Sequence, residues 1–153
     1  MSGAAWAEFE AAAPEMAAAG RTLLYQYGPG LGFLATIRAD GAPRVHPLCP
    51  HVGEGRLWVF VGAPSPKLGD LRRDGRYALH SFPCVDVDDE FYVAGTATEC
   101  TDAGLVRAVR QTLPFNTEDD DVPFILTIER ALLSKYGPRP SWPPEYTRWR
   151  ASG

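Results

Sequence analysis

The sequence lacks an excess of basic residues. Its 153 residues include 15 Lys and Arg against 19 Asp and Glu, which gives a formal net charge of −4 at pH 7. Clustered positive charge is what attracts a protein to nucleic-acid backbones and to anionic lipid. We therefore expect neither nucleic acid nor a membrane surface as a partner of this chain.

Long apolar segments are also missing. No stretch approaches the roughly 20 apolar residues that a helix needs to cross a bilayer. The first residues contain Glu8, Glu10 and Glu15, where a secretory signal would have a basic region followed by an apolar one. Together these absences predict a cytoplasmic protein.

Cysteine is scarce, and its spacing excludes two common uses. Cys49, Cys84 and Cys100 are odd in number and far apart, and they contain no C-x-x-C pair. This pattern predicts neither a disulfide framework nor a zinc knuckle. We expect reduced and mostly buried thiols.

Two histidines and a cysteine lie close together but do not form a metal-binding pattern. Strand alternation places Cys49 and His51 on one face and His46 on the other, and Pro47 and Pro50 interrupt the segment. We therefore predict no metal site. His46 is expected to contact a ligand and His51 to be exposed.

The composition present is that of one folded domain. Hydrophobic residues make up 45% of the chain and charged residues 22%, as in ordinary globular proteins. We predict a single domain over residues 1–153. Residues 1–20 form a helical arm that ends at Gly20 and that Pro14 kinks or divides, and residues 137–153 form an extended tail.

From Leu31 onward the pattern is typical of β-structure. Apolar and β-branched runs are separated by short turns, among them an Asp40-Gly41 step that favours a tight hairpin. βαβ alternation and a G-x-G-x-x-G motif are absent, which favours a small barrel over a doubly wound sheet. Short helices are predicted at residues 65–73 and 102–113. The predicted strands cover residues 31–38, 43–52, 56–61, 77–82, 90–98 and 122–136.

Several short motifs follow one another in a specific order. They are Gly32-Phe33-Leu34-Ala35-Thr36, the segment 40–47, Leu57-Trp58-Val59-Phe60, Ser65-Pro66-Lys67, the segment 70–74 and the strand 91–97. In this order they resemble the pyridoxamine 5′-phosphate oxidase-like FMN-binding split-barrel family over about residues 5–136. The resemblance implies a mainly β fold, a six-stranded antiparallel split β-barrel with flanking short helices.

The resemblance also implies where a flavin phosphate is held. The matching positions are Arg44, Ser65 and Lys67, with Pro66 opening the helix between the last two. A helix N-terminus independently favours a phosphate, because it offers free N–H groups and a partial positive charge. Outside this order of motifs, Ser65 would be an ordinary helix cap and Lys67 a solvated lysine.

A flavin ring would lie along the second strand of such a barrel. Pro47 has no N–H, so a contact at that position would be steric or through its carbonyl. His80 either lines the pocket or packs in the barrel. The positions that the resemblance assigns to the ring are Val45, His46, Pro47, Val61 and Gly62.

The implied function is that of an FMN-dependent oxidoreductase acting on a small organic molecule. The cofactor would perform the chemistry, and no catalytic residue is assigned. Two alternatives stay open: an F420-dependent reductase of the same fold, and a non-catalytic protein that binds flavin or haem. The C-terminal substrate-binding pattern of the oxidase subgroup is not evident, so vitamin B6 oxidation is not predicted.

The resemblance further implies a homodimer with the cofactor at the interface. Aromatic residues are enriched in interface cores, and we expect Trp58, Phe60, Phe91 and Tyr92 to contribute to one. Two roles are open for the tail residues, which either fold over the cofactor or cover the dimer surface. These residues are Trp142, Arg148, Trp149 and Arg150.

Overall fold

A computed structural model describes residues 3–136 and 142–153 of the chain. Within these ranges the strands form one antiparallel sheet, and four helices flank it. None of these helices has both the length and the hydropathy needed to cross a bilayer. The helices are α1 (Trp6–Ala12), α2 (Pro14–Leu24), α3 (Pro66–Arg73) and α4 (Ala103–Arg110). The strands are β1 (Gly32–Ile37), β2 (Pro43–Leu48), β3 (His51–Gly53), β4 (Arg56–Val61), β5 (Arg76–Ser81), β6 (Glu90–Glu99), β7 (Val122–Lys135) and β8 (Glu145–Arg150).

The sheet curls into a split barrel. Its strand order is β2-β1-β5-β6-β7-β4-β3, and β8 adds to β7. The two ends of this order, β2 and β3, are joined by only Cys49 and Pro50, so the sheet must curve until its ends meet. The prediction of a mainly β, antiparallel split barrel with short helices is confirmed.

The described part of the chain has eight strands, whereas six were predicted. One extra strand arises because the predicted strand 43–52 is divided at Cys49 and Pro50, where proline cannot donate to a ladder. After this break His51 pairs with Trp58 instead of with β1. The other extra strand is β8, in the segment predicted as an extended tail, of which residues 137–141 lie outside the described ranges.

Strand β7 has three strand partners, more than any other strand of the described sheet. One of its edges pairs with β6 along ten residue pairs, with a register shift between Ala94 and Gly95. Its other edge pairs first with β4 and then with β8. The backbone groups on both edges of β7 are thereby satisfied over most of its length.

The N-terminal arm packs across this sheet. Pro14 divides it into α1 and α2 and occupies the first helical position of α2, where its missing N–H costs no hydrogen bond. The arm was predicted to end at Gly20, but α2 continues to Leu24. Gly20 instead allows close packing, because a Cβ at this position would lie 2.5 Å from the ring of Phe91.

Aromatic residues fill the space between the arm and the sheet. The Trp6 and Phe9 rings meet edge to face with centroids 5.3 Å apart, and the Phe91 ring lies 6.3 Å from each. Phe91 is 1% exposed and Trp58 is 0% exposed. The expectation that these two residues contribute to a dimer surface is therefore wrong, because both belong to the interior.

Candidate functional site

Helix α3 begins as the sequence predicted. Ser65 is its N-cap, and the Ser65 Oγ accepts a hydrogen bond from the Lys67 backbone N–H at 3.3 Å. Pro66 occupies the first helical position, where no intrahelical N–H is needed. The N–H groups of Ser65 and Leu68 also have backbone partners, so this end of the helix offers a ligand its partial positive charge and the Lys67 side chain.

A buried carboxylate anchors α3 to the sheet. Asp70 is 3% exposed, and its Oδ2 accepts hydrogen bonds from Thr36 Oγ1 at 2.8 Å and from Arg44 Nε at 2.7 Å. Its Oδ1 accepts from Arg73 at 3.1 Å. Burial raises the pKa of Asp70, but these hydrogen bonds outweigh it, so the pKa lies below its ordinary value. The ionised Asp70 carboxylate thus links α3 to β1 and β2 through hydrogen bonds.

The side chains of Thr36, Arg44, Lys67, Asp70 and Arg73 form what we call the Lys67 cluster. This cluster carries more positive than negative charge. Arg44 and Arg73 form ion pairs with Asp70, Lys67 lies near enough to Arg44 for their charges to interact, and in the described ranges no carboxylate forms an ion pair with Lys67. Burial lowers the pKa of Lys67, and the charge of Arg44 lowers it further. A half-buried ammonium beside a second cation is an electrostatically costly arrangement that a bound anion relieves.

His46 completes this side of the site. It lies two positions after Arg44 on the same face of β2, and both side chains are half-buried. Burial lowers the pKa of His46, and the charges of Lys67 and Arg44 add to the effect, so the imidazole is neutral at pH 7. Its Nδ1 is buried and has no hydrogen-bond partner in the described part of the chain.

The structure does not bring every predicted residue into this cluster. The side chains of Val45 and Pro47 alternate with those of Arg44 and His46 and lie on the opposite, exposed face of β2. Val61 is 1% exposed in the core at the end of β4, and Gly62 follows it. At these four positions, only backbone groups could meet a ligand bound beside Lys67.

Three residues of the cluster received no role from the sequence. Thr36, Asp70 and Arg73 position Arg44 and α3 through the contacts described above. One local signal exists, because Asp70 lies between the buried residues Leu68 and Leu71 on a short helix. A carboxylate on the buried face of a helix requires partners.

The remaining histidines lie elsewhere. His51 was predicted to be exposed, but it is 6% exposed, because its pairing with β4 carries it inside. His80 was predicted to line the pocket or to pack in the barrel, but 42% of its side chain is exposed, and its Nδ1 lies 2.6 Å from the carbonyl oxygen of Ser81. Among residues 3–136 and 142–153, no group of three or more His, Cys, Asp or Glu side chains could hold a metal ion.

The C-terminal residues have divided roles. Trp149 of β8 is half-buried, with its ring centroid 5.0 Å from that of Phe9, so it packs against α1. Arg148 and Arg150 alternate with it and are exposed, as is Trp142. Four strands separate β8 from β2, and Trp149 therefore does not cover the Lys67 cluster of its own chain.

Comparison with known proteins identifies the fold. No protein-family model and no curated protein sequence matches the chain. A haem-binding protein from Mycobacterium smegmatis superposes with a TM-score of 0.61 at 17% identity, covering 85% of this chain and 57% of that one. The chain thus spans little more than half of that protein's length.

Two further solved structures agree. A NimC/NimA family protein from Clostridium acetobutylicum has a TM-score of 0.63 at 15% identity and covers 88% of this chain and 94% of its own. A candidate pyridoxamine 5′-phosphate oxidase from Listeria innocua has a TM-score of 0.57 at 17% identity, with coverages of 74% and 93%. The chain therefore has the split-barrel fold of the pyridoxamine 5′-phosphate oxidase-like proteins.

Proposed function

We propose that this protein binds FMN, with the flavin phosphate at the N-terminus of α3, and that it is a flavin-dependent oxidoreductase acting on a small organic molecule. The observation that carries the proposal is the half-buried ammonium of Lys67 beside Arg44, since Asp70 pairs with Arg44 and Arg73 and no carboxylate in the described part of the chain pairs with Lys67. A phosphate dianion would offset the two positive charges that Asp70 leaves uncompensated among Arg44, Lys67 and Arg73. The partial positive charge at the N-terminus of α3 adds to this attraction.

The residues present fit this cofactor. The orphaned Nδ1 of His46 is a buried polar atom that a ligand group could satisfy. Asp70 holds the Arg44 side chain through a charged hydrogen bond, so Arg44 is oriented before a ligand arrives. The site is therefore preorganised, which reduces the entropy lost on binding.

The chain's residues bind and orient, while bound FMN would supply the two-electron chemistry. Arg44 and Lys67 would fix the phosphate end. His46, on the same face of β2, would contact the flavin beyond that end, and its neutral imidazole can donate one hydrogen bond and accept another. The Gly62 carbonyl, at the end of β4, already accepts a hydrogen bond from the Ser65 N–H, and Val61 pairs with Val122.

FMN is preferred over F420 on grounds of charge. FMN ends in a phosphate monoester, which carries close to two negative charges at pH 7. The phosphate of F420 is a diester with one charge. Arg44, Lys67 and Arg73 against the one carboxylate of Asp70 leave two positive charges, which favour the dianion.

Haem binding without catalysis is the second candidate, and two observations favour it. The fold is shared with a haem-binding protein. In addition, the lowered pKa of His46 keeps its imidazole neutral, which is the form that coordinates iron. Arg44 and Lys67 would then pair with the haem propionates.

Titration with FMN, F420 and haemin in parallel distinguishes these cofactors. We expect FMN to bind with one site per chain and to give a yellow protein with quenched flavin fluorescence. A nicotinamide nucleotide or a small substrate should then reduce the bound flavin. Tighter binding of haemin or F420 than of FMN would overturn the FMN assignment, and bound flavin that no donor reduces would overturn the catalytic one.

We also propose that the protein is a homodimer with the cofactor at the interface. The homodimer, though not the position of the cofactor, is supported by the face of β1 and β2 that lies opposite Arg44 and His46, because Phe33 and Val45 on this face are 36% and 59% exposed. The Phe33 ring stacks on that of Phe82 with centroids 4.4 Å apart. Such an apolar patch on a sheet face is typical of an interface.

Replacing Phe33 with glutamate should weaken this dimer. A charge at the centre of an apolar interface is desolvated without a partner, and we expect the dimer dissociation constant to rise by about a hundredfold. Light scattering after size exclusion measures the change. The control is Val85→Glu, which places the same charge at an 83% exposed position in the β5–β6 loop. A monomeric wild-type protein, or equal effects of both variants, would contradict the proposed interface.

A further inference from the structure

A second cleft lies away from the Lys67 cluster and shares no residue with it. Its volume is about 530 Å³. Its walls come from α2, from β3 and from the segment that follows α4. The lining residues that matter below are Arg21, Tyr25, His51, Gly53 and Thr112.

A chain of hydrogen bonds fixes the polar wall of this cleft. The Val52 backbone N–H donates to the Tyr25 hydroxyl oxygen at 2.7 Å. That hydroxyl lies 3.0 Å from Nδ1 of His51, and Nε2 of His51 lies 2.9 Å from Thr112 Oγ1. The Thr112 hydroxyl donates in turn to the Val109 carbonyl at 2.7 Å.

The groups at the two ends of this series of hydrogen bonds determine where each hydroxyl and imidazole proton lies. Because Thr112 gives its only proton to a carbonyl, it must accept from His51, whose hydrogen is therefore on Nε2. The Nδ1 atom is then an acceptor, and the Tyr25 hydroxyl donates to it. Burial lowers the pKa of His51, and the Arg21 charge lowers it further, which is consistent with a neutral ring.

The residues of this wall leave little room for a side chain at Gly53. A Cβ on Gly53 would lie 3.0 Å from both His51 Nε2 and Thr112 Oγ1. A side chain at position 53 would therefore press on the hydrogen bond between them. Tyr25 follows α2, His51 is on β3 and Thr112 follows α4. The cleft therefore keeps its shape only while these three parts of the fold stay packed together.

Arg21 is the charged group of the cleft. It is exposed on α2, and its positive charge acts on both Tyr25 and His51. No carboxylate in the described part of the chain forms an ion pair with it. All hydroxyl and imidazole protons of the wall are used internally, which leaves the Arg21 guanidinium as the side-chain donor available to a ligand.

We infer that this cleft binds a small organic carboxylate, held by the guanidinium of Arg21 against the Tyr25–His51–Thr112 wall. A single cation matches a single negative charge, and the planar guanidinium can donate two parallel hydrogen bonds to a carboxylate. The cleft is much larger than an inorganic ion and includes apolar surface from Val52 and Pro114. An apolar body attached to the carboxylate therefore fits.

Benzoate is the probe for this site, and benzamide is its neutral counterpart of the same shape. In nitrogen–proton correlation spectra, we expect benzoate to shift the Val52 and Gly53 amide signals and the His51 ring signals. Replacing Arg21 with glutamine should weaken benzoate binding at least about tenfold. The matched control is Arg107→Gln, at an exposed arginine on α4, which should leave the affinity unchanged.

Several outcomes would overturn the site. Equal affinities for benzamide and benzoate would show that charge is not recognised, and unchanged binding in the Arg21→Gln variant would remove Arg21 from the site. Shifts confined to residues near Lys67 would place benzoate at the other cluster. The Arg21→Lys variant keeps the positive charge but cannot donate two parallel hydrogen bonds, so it should bind benzoate with an affinity between those of the wild type and of Arg21→Gln. Because the site is independent of the proposed FMN site, these results stand whichever cofactor binds there.

Discussion

Replacing Asp70 with asparagine should lower the free energy of unfolding by about 3 kcal/mol. The Asp70 carboxylate is buried and accepts hydrogen bonds from Thr36, Arg44 and Arg73. Asparagine keeps one acceptor oxygen but presents an NH₂ group to donors on the other side. At least one guanidinium then loses its charged partner. A loss of this size lowers the folding equilibrium constant by about a hundredfold.

Urea unfolding of the variant and of Asp120→Asn measures this effect. Asp120 is exposed in the loop before β7, so its neutralisation should change stability little. The folded-state pKa of Asp70 lies below its unfolded value. Its ionised form therefore adds stability above the unfolded pKa, and this stability is lost as the pH falls through the folded pKa. A difference between wild type and Asp70→Asn that stays constant on acidification would contradict this role.

Replacing Lys67 with alanine should weaken FMN binding by about tenfold to a hundredfold, the range expected when a charged hydrogen bond to a phosphate is lost. Lys67 is half-buried on the first turn of α3, where the phosphate is proposed to bind. Fluorescence titration measures the affinity. The control is Lys135→Ala at the exposed end of β7. Undiminished binding in the Lys67 variant would remove the phosphate assignment.

The same lysine gives the binding a characteristic pH dependence. Burial and the Arg44 charge lower the pKa of Lys67 in the free protein, and a bound phosphate raises it again. Binding therefore takes up a proton when the pH lies between these two values, and the FMN affinity falls as the pH rises through the free value. This decline should begin at a lower pH than for an ordinary lysine and should be absent in Lys67→Ala.

The elements that sequence reasoning located best are those determined by adjacent residues. The start of α3 was placed correctly because Ser65, Pro66 and Lys67 carry a complete set of capping signals within three positions. Strand β7, predicted over residues 122–136, extends from Val122 to Lys135 for a similar reason. Its long alternating pattern has few competing interpretations.

The parts that were missed depend on residues far apart in the chain. Asp70 contacts Arg44 and Thr36 across 26 and 34 positions, and no local pattern carries that information. His51 is buried because β3 turns to pair with β4, so the alternation extrapolated from His46 across Pro50 did not apply. Phe91 lies in the core because α1 and α2 pack over its face of the sheet.

The pairing of β7 with both β6 and β4 has a consequence for how the chain folds. Hairpin β3–β4 finds no other strand neighbour in the described sheet until β7 is available, because Leu57 pairs with Leu126. Helix α3, two strands and helix α4 lie between these partners. Closing so long a loop is entropically unfavourable, and such non-local pairing slows folding. We therefore expect the β3–β4 hairpin to join the sheet late, and its apolar residues stay open to other chains until β7 docks.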